Sequence, residues 1–241
     1  MEAYTTHDVE IPINGKELTL KGTIYTAAKP SMPNQWMIIF PGLLEHRKSY
    51  LTTFFSNQFA STGVHILSYD YRAHGETAAQ TGKNWLKLLP SIFSDAHQVI
   101  EWLLDTYLYD KNENDYNLSL FGRSLGGAII LTQGYIEKRA QKLIALCTRY
   151  DYHSVSKIKF PEKVIKHISP IYYLKEIPKN KERILLAHCK DDSQIPFENL
   201  LLIKNHLNLP EENVLIFKKG GHSFKGHREE IFKKTLEFLK F

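Results

Sequence analysis

The chain has 241 residues, of which 43% are hydrophobic and 24% charged, with a formal net charge of +5 and two cysteines. That length suits one large α/β domain with a sizeable core, and the ordinary composition excludes a disordered chain, a fibre and a disulfide-built scaffold. The lysines are spread, with mild enrichment in residues 157–166 and 218–234 and no basic-aromatic motif beside them, which points to a solvated surface rather than to nucleic acid.

In chain order, Val9 to Tyr25 reads as a hairpin: Val9, Ile11 and Ile13 alternate, and Asn14-Gly15 signals a type I′ turn. Residues 29–34, with two prolines, read as a loop. Trp36 to Phe40 is a continuous apolar run, as expected for a strand buried on both faces. Ser49 to Ala60 carries helix-spaced Tyr50, Phe54, Phe55 and Phe59. Val64 to Tyr69 is a second buried strand, and Ala78 to Leu89 is polar and indecisive. Pro90 to Tyr107 reads as a helix with Ile92, Ala96, Val99, Ile100, Leu103 and Tyr107 on one face. Residues 110–115 read as a charged surface loop.

Next comes Leu118-Ser119-Leu120-Phe121, a strand ending at Phe121, and then a helix starting over Leu125 to Gln133. Gly122-Arg123-Ser124-Leu125-Gly126 between them fits G-x-S-x-G. A strand turning into a helix so abruptly crowds its flanks, and glycines at 122 and 126 remove the Cβ atoms that would collide. The apex serine is then held outward in a strained conformation, with the N-terminal end of the helix beside it. Leu143 to Cys147 is a short strand. Residues 148–181, rich in tyrosine and interrupted by Pro161, Pro170 and Pro178, read as an inserted cap of short helices. Tyr150, Tyr152, Phe160, Tyr172 and Tyr173 serve there as cap core or as an acyl pocket. Arg183 to His188 and Val214 to Phe217 read as strands; Phe197 to Leu207 and Arg228 to Leu239 read as helices, the latter with Ile231, Phe232, Thr235, Leu236 and Leu239 inward.

Strands alternating with helices imply a mostly parallel sheet, whose binding crevice lies at the carboxyl ends of its strands. Five post-strand segments there carry chemistry: Pro41-Gly42-Leu43-Leu44-Glu45-His46, Asp70-Tyr71-Arg72-Ala73-His74-Gly75, the Ser124 turn, Cys189 to Pro196 with Asp191 and Asp192, and Gly220-Gly221-His222-Ser223-Phe224. The chain order is Ser, Asp, His, with Asp192 lying 68 residues after Ser124 and 30 before His222. Glu45 and His46 read as shaping their loop, Asp70 and His74 as loop scaffolding, Arg123 as a packed or hydrogen-bonded side chain, and His188 as core. The two cysteines read as free buried thiols. No C-x-x-C or H-E-x-x-H signals a metal site, the polar start of the chain has no apolar leader, and no run is long enough to span a bilayer. A cytoplasmic protein without cofactor or stable membrane insertion is expected.

With these segments in this order, the chain resembles the α/β-hydrolase superfamily over nearly its whole length. P-G-L-L-E-H resembles the H-G-x-x-E-H segment of monoacylglycerol lipases and lysophospholipases, and D-Y-R-A-H-G-E-T resembles their D-x-x-G-H-G-x-S loop. The short length and compact cap are similar to small bacterial cinnamoyl and feruloyl esterases. Two positions depart from these patterns: Pro41 stands where the relatives have His, and Ala73 where they have Gly. The resemblance implies a single α/β-hydrolase domain over residues 1–241, with a mostly parallel sheet of about eight strands, helices on both faces, an N-terminal antiparallel hairpin and the cap at 148–181. It implies Ser124 as nucleophile, His222 as base and then acid, and main-chain N–H groups of Leu43 and Leu125 as the oxyanion hole. Relatives place the catalytic aspartate four residues before a proline, which selects Asp192 over Asp191. The expected activity is cofactor-free hydrolysis of carboxylic esters with short-to-medium or aromatic acyl groups through an acyl-enzyme. Monoacylglycerol lipase, lysophospholipase and thioesterase activities are alternatives, and so is a ligand-binding module that keeps the triad idle.

Overall fold

The computed structural model describes residues 2–30, 34–112, 115–155 and 158–240. Ser31 to Pro33 of the predicted loop, Glu113 and Asn114 of the predicted surface loop, and Ser156 and Lys157 of the predicted cap lie outside the described residues. Backbone packing groups the chain into two compact units, residues 1–120 and 121–241.

The first unit holds β1 (Tyr4–Ile13), β2 (Leu18–Ala27), β3 (Gln35–Phe40), α1 (Tyr50–Ser61), β4 (His65–Tyr69), α2 (Ala78–Thr81) and α3 (Trp85–Tyr107). Its strand order is β1-β2-β4-β3. The β1–β2 and β2–β4 pairs are antiparallel and β3–β4 is parallel. All six residues of β3 are buried: the apolar run Trp36 to Phe40, as expected, and Gln35 before it. Ile13 pairs with Leu18, so the hairpin connection spans four residues rather than the expected two. Asn14 and Gly15 nonetheless take the left-handed conformations that the Asn-Gly signal anticipates, with φ of 51° and 66°.

Two helical expectations are corrected here. In α1, Leu51, Phe55 and Phe59 face inward, whereas Tyr50 is exposed. The long helix begins at Trp85, five residues before the expected Pro90. The Asn84 side chain accepts from the Lys87 N–H (3.2 Å) as an N-cap, and the buried stripe extends back to Leu89. Together these offset the hydrogen bond that Pro90 cannot donate.

The loops after β3 and β4 are braced from within. Glu45 Oε2 accepts from the Gly42 N–H (2.9 Å), and the Tyr71 hydroxyl donates to the Pro41 carbonyl (2.8 Å). Arg72 forms a two-pronged ion pair with Asp95 (2.6 and 2.8 Å). Ala73 takes φ of 62° with its N–H on Thr81 Oγ1 (2.8 Å). A left-handed alanine costs about 1–2 kcal/mol. Ala73→Gly is therefore expected to raise stability by about 0.5–1 kcal/mol, after subtracting the extra chain entropy of glycine. Urea unfolding should show a higher midpoint at unchanged slope; an equal or lower midpoint would count against strain at this turn.

The second unit opens within β5 (Asn117–Arg123) and continues with α4 (Leu125–Ile130), α5 (Gln133–Ile136), β6 (Ala140–Leu146), α6 (Glu162–Ile168), α7 (Asn180–Arg183), β7 (Ile184–Cys189), α8 (Glu198–Leu207), β8 (Val214–Phe217) and α9 (Arg228–Phe238). The strand order is β5-β6-β7-β8, with β6–β7 and β7–β8 parallel. The strand β5 runs two residues past the expected end at Phe121. The helix expected over Leu125 to Gln133 breaks after Ile130. Thr132 Oγ1 donates to the carbonyls of Ala128 (2.9 Å) and Ile129 (3.0 Å), competing with the next helical amides, and α5 restarts as a separate turn. Arg183 closes the end of α5 by donating to the carbonyls of Gly134, Tyr135, Glu137 and Ala140. The described part of segment 148–181 contains α6, the start of α7 and two single 3₁₀ turns at Tyr152–Ser154 and Pro170–Tyr172. The eight strands among the described residues thus form the mostly parallel α/β architecture with an N-terminal antiparallel pair that the sequence led us to expect.

Candidate active site

The turn between β5 and α4 is strained at one residue. Ser124 has φ 56° and ψ −115°, a conformation that costs a non-glycine residue on the order of 1–3 kcal/mol and persists only where the surroundings enforce it. They do so here. The Ser124 N–H donates to the Leu146 carbonyl (2.9 Å), and Thr148 Oγ1 donates to the Ser124 carbonyl (3.0 Å). The chain folds back so tightly that a Cβ on Gly122 would stand 2.4 Å from the Gly126 carbonyl oxygen, a backbone atom that cannot move aside. Ser124 itself is half-buried.

Two further loops of the same unit bring an aspartate and a histidine together. Asp192 follows β7, and His222 sits in a 3₁₀ turn after β8. The His222 Nδ1 to Asp192 Oδ2 distance is 2.7 Å. Asp192 Oδ1 accepts from the N–H groups of Gln194 (2.8 Å) and Ile195 (3.0 Å). Burial works to raise the Asp192 carboxyl, but hydrogen bonds from His188, His222 and the Ile195 amide outweigh it and hold the group well below the usual carboxylate range. Against an ionised carboxylate, Nδ1 must carry the proton, so in the neutral ring Nε2 is left with a lone pair.

Asp191, one residue earlier, points elsewhere. It accepts from the N–H groups of Gly221 (2.8 Å) and Gly220 (3.2 Å) and so pins the turn that carries His222. From the other side, Arg123 Nη1 donates to the His222 carbonyl (3.0 Å), and the Cys147 thiol donates to the same oxygen (3.6 Å). The histidine is thus held by its ring, its carbonyl and the amides that precede it.

Cys147 Sγ, a carboxylate oxygen of Asp192 and a ring nitrogen of His222 lie within 4.8 Å of one another. A thiolate, an imidazole and a carboxylate are a donor set suited to a soft divalent ion. Burial, however, pushes the Cys147 thiol up to about 12, and its proton is engaged on the His222 carbonyl, which opposes ligation. Cys147 and Cys189 are both free and buried.

The remaining predicted residues fall as follows. Leu125 is the first residue of α4. Leu43, in the first unit, lies half-buried in the turn after β3, followed by Leu44 with φ 63°. Asp70 and His74 are buried. Asp70 accepts from the main chain of Arg47 and Glu76 (2.8 Å each), and His74 Nδ1 meets the Arg72 carbonyl (2.7 Å). Tyr150 is buried with its hydroxyl on His206 (2.6 Å), and Tyr172 is exposed. Sequence reasoning missed two partners. Arg47 carries no motif of its own, since its four partner residues lie far along the chain. His188 is buried in β7 as its core reading requires, but its ring also reaches Asp192 (3.3 Å), a contact that no motif marks.

A comparison with curated proteins gives no significant match. Among solved structures, a ferulic acid complex of Est1E from Butyrivibrio proteoclasticus aligns with a TM-score of 0.74 at 17% identity, covering 96% of this chain and 97% of that one. Dienelactone hydrolase from Anabaena variabilis aligns at 0.69 and 16%, covering 98% and 97%. Acylaminoacyl peptidase from Pyrococcus horikoshii aligns at 0.73 and 18%, covering all of this chain but 42% of that longer one. At these identities the likeness is one of fold. The family described as serine aminopeptidase, S33, matches residues 31–199, well over half of the sequence. The chain therefore belongs to the serine aminopeptidase S33 family and is an α/β hydrolase.

Proposed function

We propose that this protein is a serine hydrolase that cleaves small carboxylic esters with short-to-medium or aromatic acyl groups through an acyl-enzyme. The observation that carries the reading is the 2.7 Å contact between His222 Nδ1 and Asp192, in the same unit as the strained Ser124 turn. Serine is a poor nucleophile near neutral pH unless a base takes its proton. In this reading His222 Nε2 takes the Ser124 proton as Oγ attacks the acyl carbonyl, and returns it to the leaving alcohol as the C–O bond breaks. Water then repeats the sequence on the acyl-enzyme and releases the acid. Asp192 orients the ring and stabilises its cation. The Leu125 main-chain N–H is one oxyanion donor, with that of Leu43 as the second donor suggested by its motif; one such donor is worth about 3 kcal/mol of transition-state stabilisation. The 148–181 segment is read as the small cap over the acyl site. The fold shared with Est1E, whose structure holds ferulic acid, supports an aromatic acyl group.

The family description favours a second reading, cleavage of an amide next to a free amine. A fluorophosphonate probe should label the native protein and spare Ser124→Ala. A panel of p-nitrophenyl and hydroxycinnamate esters beside amino-acid p-nitroanilides then separates the two readings. Labelling that persists in Ser124→Ala would exclude both.

A further inference from the structure

The carboxylate of Asp192 faces a second histidine. His188, in β7, is 1% exposed, and its Nε2 lies 3.0 Å from the Ile195 carbonyl and 3.3 Å from Asp192 Oδ2. A carbonyl and an ionised carboxylate both accept, so Nε2 must carry the proton and His188 is the donor to both, with the longer arm on Asp192. The arrangement closes on itself, because the Ile195 N–H donates to Asp192 Oδ1 while the Ile195 carbonyl receives His188. Phe197 packs edge-on against the imidazole at 5.9 Å and limits its rotation. Oδ1 thus serves two amides and Oδ2 two imidazoles.

We propose that His188 is a positioning residue for Asp192: it fixes the carboxylate and draws part of the Oδ2 charge away from His222. The role rests on the serine hydrolase reading above. Asp192 is held against His222 by a hydrogen bond that must share its acceptor. With the competing donor removed, Oδ2 becomes a stronger acceptor for His222, and the His222 imidazolium is favoured over the neutral base. The other groups around the pair stay in place: Arg123 and the Cys147 thiol on the His222 carbonyl, Asp191 on the Gly220 and Gly221 amides, and the Cys189 thiol, whose own ionisation burial opposes first, with Asp191 and Asp192 adding to it.

The test is the pH profile of kcat/KM for an ester that the native protein hydrolyses and Ser124→Ala does not. His188→Phe keeps an aromatic ring against Phe197 but removes the donor. It is expected to move the acid limb upward by roughly 0.5–1 pH unit, the part of one hydrogen bond to a charged group that passes to His222 through the shared oxygen. It should also lower kcat by ~10- to 100-fold at unchanged KM, as a loosened orienting group does. His188→Gln, whose amide N–H reaches a similar place, should bring the limb back. A folded His188→Phe variant with an unmoved acid limb would overturn the role, since a residue of packing alone changes stability and not the profile. Long-range ¹⁵N–¹H correlation on the native protein needs no variant: it should find the proton of His188 on Nε2, and a proton on Nδ1 instead would overturn the contact itself. Ester turnover that survives Ser124→Ala would remove the hydrolase reading and with it the role of His188, while the nitrogen assignment still reports whether the contact exists.

Discussion

Asp192→Asn is expected to lower kcat/KM for ester hydrolysis by ~10⁴-fold with little change in fold, because it leaves the ring in place but in the wrong tautomer. Two amides hold Oδ1, so the asparagine carbonyl settles there and its NH₂ replaces Oδ2, facing Nδ1 of His222. Two donors cannot share that gap. The ring moves its proton to Nε2 and no longer offers a base. Circular dichroism and a thermal melt separate this outcome from unfolding, and a loss below ~10-fold would remove Asp192 from the mechanism. Asp191→Asn provides the contrast, since Asp191 meets only the amides of Gly220 and Gly221 among the hydrogen bonds described.

The same carboxylate leaves a signature in stability. Its folded-state pKa is depressed, so the unfolded chain binds the proton more readily, and the stability it contributes is present above the unfolded value and lost as pH falls toward the folded one. With an unfolded aspartate near ~3.9, that contribution is intact through neutral and mildly acidic conditions and declines only below about pH 4. Urea midpoints for the native protein and Asp192→Asn should accordingly converge as pH drops below that point.

Arg47→Leu is expected to destabilise the first unit by about 3–5 kcal/mol, the usual result of stripping one partner from a buried ion pair. The Arg47 guanidinium is 1% exposed. Its Nη1 donates to Asp70 (2.6 Å), Nη2 to Glu76 (2.9 Å) and Asp8 (3.3 Å), and Nε to Thr23 (3.1 Å). Asp70 is wholly buried, so losing the arginine strands its charge. Gly75 belongs to the same design: at φ 47°, a Cβ there would stand 2.3 Å from Asp70 Oδ2. Glu76, by contrast, is exposed, and Lys48 and Arg47 draw its carboxyl down to about 2. The loss should therefore come from Asp70. Urea unfolding of Arg47→Leu/Asp70→Asn should recover part of the stability; a double variant no better than the single one would place the cost elsewhere.

The parts of this protein that could be read without coordinates are those whose cause is local. Alternation marks the second half of β1, from Val9, though the strand begins five residues earlier at Tyr4; strand-like composition marks most of β2, an unbroken apolar run marks β3, and helical spacing marks most of α3. The reading failed where a neighbour in space outweighed the local pattern: at Pro90, which a cap and a buried stripe carry into the helix, and at Thr132, whose hydroxyl diverts helical carbonyls.

The site divides along the same line. Gly122, two residues before Ser124, is a local steric demand, visible as G-x-S-x-G, whereas Gly220 and Gly221 before His222 are asked for by positive φ (133° and 58°). Spacing left Asp191 and Asp192 open, and only a family resemblance chose between them; the folded loop sends one carboxylate to the Gly220 and Gly221 amides and the other to the imidazole. No pattern announced that His188 reaches Asp192, or that Arg47 gathers residues 8, 23, 70 and 76. Neighbours along the chain constrain dihedral angles and faces, and a sequence records those demands. Which donor meets which acceptor, four residues on across a turn or tens of residues away, is decided by how backbones pack, and that only the tertiary structure shows.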